Sequence, residues 1–151
     1  MTIATLEDQF IADLQTLITS IAGSDLGTYT IDQSDGTTTT EPAIAVERGL
    51  SDEFRQGVTK LEFIIELPED RNLTPYLSHV VDAQTTLRVV CVQWDNSVDA
   101  WATMDKFMLA VNSIDNRTAA LNQVRVSQSP TIGNLKQASC TVTRLNNIVA
   151  A

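Results

Sequence analysis

The hydrophobic positions of this chain follow two periods, and the places where one gives way to the other mark its elements. In TLEDQFIADLQTLITSIAG, Leu6, Phe10, Leu14, Leu17, Ile18 and Ile21 recur at three- and four-residue steps. Such spacing lays one apolar stripe along a helix. Thr5 stands where an N-cap is wanted, with Glu7 and Asp8 in the positively polarised first turn. Gly23 stands where a left-handed residue closes the helix.

The period then changes to two. A short strand is expected around Thr28–Ile31, followed by an exposed loop over the threonine run Thr37–Thr40. AIAVERG reads as a short strand closed by Gly49, and SDEFRQGV as polar loop. VTKLEFIIELPED is the clearest strand. Leu61, Phe63, Ile65 and Leu67 point one way, while Lys60, Glu62, Ile64 and Glu66 point the other, until Pro68 ends the run. NLTPYLSHVVDAQ leaves two options, a helical turn or an irregular crossing. TTLRVVCVQW is apolar on both faces near Val89–Val92, which places it inside a sheet.

A helix is expected from about Val98 to Ile114, after a cluster of N-cap residues at Asp95, Asn96 and Ser97. On its wheel Ala100, Trp101, Met104, Phe107, Met108, Val111 and Ile114 share a side, with Asp99, Lys106 and Ser113 off it. The spacing makes the tryptophans, Trp94 and Trp101, and the methionines core residues and the aspartates cap or solvent residues. DNRTAAL reads as a turn or fraying end. Beyond it, Val124 and Val126 share one strand face, SPTIGN turns, and LKQASCTVTRL returns with Ala138, Cys140 and Val142 inward. The order is helix, short strands, two long strands, helix, hairpin. It predicts one α+β domain over residues 1–151, with a mostly antiparallel sheet and both helices on one face.

Composition narrows the function. With 43% hydrophobic residues the chain can build a core without disulfide or metal staples. The net charge of −9 argues against a phosphate-gripping nucleic-acid binder and against an anionic membrane surface. The charge is uneven: residues 1–70 hold fourteen acids against three bases, residues 71–151 five acids against seven bases. One face or edge should be acidic. No segment approaches the roughly 20 apolar residues that span a bilayer. MTIATLEDQF lacks the features of a signal peptide, so synthesis in a cytoplasm is expected, with Cys91 and Cys140 as free thiols. The glycosylation-like triplets NLT and NRT are then coincidental.

Candidate chemistry is sparse. His79 is the only histidine; Ser78 and Asp82 lie near it in sequence, but triads are assembled in space from separate elements. One histidine and two distant cysteines do not fit a structural zinc site, which takes four nitrogen or sulfur ligands. Cys91 and Cys140 read as buried thiols rather than nucleophiles, since no second histidine is present to serve as base. Glu66, Glu69 and Asp70 cluster in ELPED, better read as a solvated strand end than as a cation site. Glycine-rich nucleotide motifs are absent from the sequence. Neither catalytic residues, nor a cofactor, nor a metal is expected.

Four stretches carry a family resemblance: the helix LEDQFIADLQTLI, the segment EPAIAVERG leaving a loop, the long strand with its polar turn opening VDAWATMDKF, and the final strand LKQASCTVTRL after a hairpin. Together they cover most of the chain, and they resemble the tail-terminator (neck) proteins of long-tailed bacteriophages. NLTPYLSHVVDAQ departs from the simplest pattern of that family. The resemblance implies a structural virion protein that forms a ring, normally a hexamer. The ring caps the tail tube, contacts the tail-tube protein and the head-side connector, and needs no cofactor. An acidic channel face, with Glu62, Glu66, Glu69 and Asp70 as its candidates, would repel DNA phosphates and let the genome pass. Val98, Ala102 and Leu109 lie off the core face of the second helix and are the expected subunit contact. Two other classes stay open. One is another connector, stopper, tube or baseplate subunit, separated by ring size and by the partner captured. The other is a small enzyme or ligand-binding domain, which a concave pocket with convergent polar groups would mark.

Overall fold

The computed structural model describes residues 3–47, 58–67, 72–76, 80–129 and 133–149. Helix α1 spans Ile3–Ala22. Leu6, Phe10, Ile11, Leu14, Ile18 and Ala22 are buried along its inner stripe, and Leu17 and Ile21 are partly buried beside them. The helix already includes Thr5, so Thr5 is not its N-cap. Gly23 closes it at φ +54°, in the left-handed region that the sequence required, and opens a short 3-10 turn to Asp25.

Two strands, β1 (Thr28–Asp32) and β2 (Thr38–Pro42), form an antiparallel hairpin. The threonine run expected as loop is therefore mostly strand. β-branched residues suit extended backbone once a partner supplies the hydrogen bonds, and β1 supplies them. Gly36, at φ +86°, makes the turn, and Asp35 accepts from the amide and hydroxyl of Thr37 at 3.0 and 2.6 Å.

The main sheet uses β3 (Ile44–Glu47), β4 (Leu61–Glu66), β5 (Asn72–Tyr76), β6 (Val80–Gln93), β7 (Arg117–Ser129) and β8 (Gly133–Val149). Its order is β3-β4-β6-β8-β7, with β5 also on β6. Among the described strands of this sheet, β3 and β4 are the one parallel pair, and the rest are antiparallel. β4 and β5 flank the same strand in succession. Glu66 faces Arg88 and Asn72 faces Gln84, so five residues on one side answer three on the other. Pro68 lies in that interruption, outside the described residues. In the segment left open between a helical turn and a crossing, β5 and the start of β6 are extended. DNRTAAL is likewise strand from Arg117 onward, entered through Asn116 at φ +63°.

Register explains the core. Phe63 faces Cys91, which faces Ala138; Ile65 faces Val89, which faces Cys140. These residues, with Leu61, Leu87 and Val142, present one apolar face. Helix α2 (Ala100–Asn112) covers it with Ala100, Met104, Phe107 and Val111, and α1 covers it with its own stripe. Both helices thus lie on one face of a largely antiparallel sheet, an α+β fold as the element order predicted. Asp99 is the N-cap of α2, accepting from the amides of Trp101 and Ala102. The expected cap cluster does other work: Asp95 accepts from the amide and hydroxyl of Ser97 and from the Lys60 amide at 2.8 Å.

Candidate functional site

The expected contact row on α2 does not survive intact. Val98 precedes the helix, is only 9% exposed and belongs to the core cluster. The turn held by Asp95 swings it inward, so it cannot sit on an outer helix face. Ala102 and Leu109 are exposed, Leu109 by 73%. Two apolar residues seven apart are scattered exposure rather than a patch.

The acidic face is also redistributed. Glu62 is buried on the sheet face away from the helices, accepting from the Tyr29 hydroxyl at 2.5 Å and from Trp94 Nε1 at 3.0 Å. It joins the β1–β2 hairpin to the main sheet and cannot line a channel. The alternation of β4 correctly put Glu62 opposite Phe63, but it could not show that a tyrosine lies over it. Glu66 is partly exposed and paired with Arg88 at 2.9 Å. Glu69 and Asp70 lie outside the described residues, as does His79.

Cys91 and Cys140 are free and fully buried, diagonal neighbours on the inner face of β6 and β8. Burial raises both thiol pKa values, that of Cys140 to about 12 and that of Cys91 further, helped by nearby Cys140. They are packing residues held in the neutral form. On the outer face a shallow depression lies between Arg88, Val90, Gln123, Gln137 and Ser139. Its one cation is already held by Glu66 and, at 3.4 Å, by Ser139 Oγ.

The feature that sequence reasoning missed is an edge. β7 is 13 residues long and, among the described residues, pairs only with β8. Leu121, Val124 and Val126 are 48%, 45% and 49% exposed along it. Their partners on β8 are Cys140, Ala138 and Lys136, so all three side chains stand on the helix side of the sheet, at its rim. The register shift between Leu121 and Gln123 makes this possible. Were Asn122 paired in the regular pleat rather than bulged, strict alternation would send Leu121 and Val124 to opposite faces. In sequence, the mixed three- and two-residue steps hide the row; only a bulge makes them one face.

Charge frames that edge. The β7–β8 hairpin holds Arg117, Arg125, Lys136 and Arg144 and no acid. Arg117 and Arg144 face each other across the strands and share Asp13 of α1, at 2.6 and 3.3 Å, with both guanidiniums 5.9 Å from the Phe10 ring. Lys136 lies over the Trp101 ring at 4.8 Å. What the arrangement offers is a rim of strand backbone, a half-exposed apolar row and a basic surround. Such an edge is a template for another strand.

No protein-family model matches this chain, and no curated protein matches it significantly.

Proposed function

We propose that the chain is a structural subunit of a long-tailed phage virion, a tail terminator whose copies close into a ring on the last ring of the tail tube. The observation that carries this reading is the long edge strand β7 with its half-exposed row Leu121, Val124 and Val126. A strand of this length with three half-exposed branched side chains offers unpaired backbone and apolar surface to a further strand. The resemblance over the N-terminal helix, the strand–turn–helix at VDAWATMDKF and the final hairpin supplies the neck assignment and the hexamer. The α+β fold, with both helices on one side, leaves the strand rim available for subunit contacts.

In this reading α2 and α1 brace the sheet, and the sheet edges make the ring. The tail-tube protein meets one side of the ring and the head-side connector the other. Glu66, Glu69 and Asp70 remain the candidates for an acidic channel face along which DNA phosphates slide without binding. Glu62 instead fixes the hairpin. The protein is made in the host cytoplasm, ends in the virion, and works without a cofactor or membrane.

Electron microscopy of the assembled particle, with the subunit tagged at its C-terminus, tests this. A closed ring of tags at the head–tail junction is the expected result. Tags along the tube, at the baseplate or scattered over the head would overturn it, the first two in favour of a tube or baseplate subunit.

A further inference from the structure

Among the described residues, two β elements at opposite ends of the main sheet stand out for what they leave exposed. One is the hairpin arm Thr28–Pro42. Its two strands form a sheet of their own, and β2 is exposed at every position. Only Tyr29 is buried; Ile31 is partly so. The arm holds Asp32, Asp35 and Glu41 and no base. The other element is the β7 edge, in a hairpin with four bases and no acid, of which Arg117 and Arg144 share Asp13 of α1. β2 runs through Ala43 into β3, so the arm is rooted at one edge of the sheet while β7 forms the other. Four strand spacings, about 19 Å, separate β3 from β7.

We propose that the arm of one copy pairs with the β7 edge of a second copy and extends its sheet. The arm's threonine-rich strand is suited to pairing, and Ile31 gives it a side chain to lay against Leu121, Val124 and Val126. Its acids meet the basic surround of β7. Two copies of β7 placed edge to edge would instead bring like charges together. The contact joins unlike surfaces, so it repeats head to tail and closes only at the right rotation per subunit. This inference rests on the proposed ring for the number of copies alone.

Cross-linking of the free, full-length protein tests it. Thr40→Cys marks the arm and Gln123→Cys marks β7; both positions are exposed, and the native thiols are buried and silent. A mixture of the two variants, treated with a short bismaleimide, should give a covalent dimer that neither variant gives alone. Its yield should fall as salt screens the opposed charges. Asp32→Lys with Glu41→Lys, placed in the arm variant and leaving the Asp35 turn intact, should cut that yield at least tenfold. Self-linking of Gln123→Cys, self-linking of Thr40→Cys, or the absence of any product at the highest soluble concentration would overturn the pairing. The two proposals fail separately. A neck ring whose subunits meet elsewhere gives no cross-link, and a cross-linked pair can form from a protein that belongs to no neck.

Discussion

The hydroxyl of Tyr29 donates to the carboxylate of Glu62 at 2.5 Å, joining residues 33 apart in sequence through a buried bond. Tyr29 is the one buried side chain of β1, and Trp94 Nε1 donates to the other carboxylate oxygen. Removing one partner of a buried acceptor costs more than the bond's net worth, because the remaining group loses a hydrogen bond that water cannot replace. Tyr29→Phe should therefore destabilise the fold by about 1.5–3 kcal/mol. Urea denaturation checks this. A variant within ~0.5 kcal/mol of the parent would show that the hairpin is held by its backbone bonds alone.

Gly27 precedes that hairpin, and its role is space rather than conformational freedom. A β-carbon there would sit 1.8 Å from the Thr59 carbonyl oxygen. The Gly27 amide donates to the Leu61 carbonyl at 2.8 Å, and its own carbonyl accepts from Ala43 at 2.9 Å. Backbone must move to admit even a methyl group. Gly27→Ala should cost about 3 kcal/mol, the upper end for overpacking, and should loosen the whole arm. Hydrogen exchange of the β1 and β2 amides would show it as lost protection, while the α2 amides keep theirs.

Trp101 lies partly buried against the core, its Nε1 donating to the Gln137 carbonyl at 3.1 Å and its ring under Lys136. Its partial exposure moderates the loss expected of a fully buried aromatic. Trp101→Ala should cost about 2–4 kcal/mol, and Trp101→Phe, which keeps the ring contact but loses the N–H, about 1 kcal/mol. Equal melting of the two variants would mean that the hydrogen bond, not the packing, is what matters.

How far the sequence reached depended on which contacts were local. The stripes of α1 and α2 and the alternation of β4 are periodic within one segment, and the helix end at Gly23 is a single-residue requirement, so all were legible. Thr37–Thr40 looked like loop because its pairing comes from β1. Val98 looked exposed because a wheel drawn from residue 98 assumes the helix has begun; the Asp95 turn and the Asp99 cap delay it. Glu62 looked solvated because alternation separates two faces without saying what covers either. The β7 row was hidden by one bulge residue, Asn122. In each case the deciding partner lies on another segment, which no local pattern shows.

The buried thiols make stability fall in alkali. The Cys140 thiol titrates at 9.0 when unperturbed but near 12 in the fold, and the Cys91 thiol is raised further, in both cases chiefly by burial. Between pH 9 and 12 the unfolded chain loses a thiol proton that the native state keeps. The unfolded state then binds fewer protons, so unfolding free energy declines as pH rises, by about 1.4 kcal/mol per pH unit for each thiol. Below pH 9 both states are protonated and the term is flat. Other groups also titrate there, so the check is a difference. The alkaline slope of the parent should exceed that of Cys140→Ala, measured by guanidinium melts at pH 8, 9 and 10. Identical slopes would mean that the thiol ionises as readily folded as unfolded.

The β7 edge gives the sharpest separation of folding from assembly. Val126 is half exposed on the rim, so replacing it with lysine removes little buried area, and surface changes of this kind stay within about 0.5 kcal/mol. Charge on an edge strand is also how natural sheets discourage added strands. Val126→Lys, which would face Lys136 across the β7–β8 pair, should cost no more than about 1 kcal/mol and yet, on the proposed ring, fail to assemble on tails. The converse control is Leu109→Lys, on the outer face of α2 and more exposed than Val126. If the subunit contact is the β7 edge rather than the α2 face, Leu109→Lys should still assemble. Complementation of a strain lacking the gene, followed by particle counting and microscopy, reads both. Rings formed normally by Val126→Lys and lost in Leu109→Lys would move the interface to the helix and retire the edge.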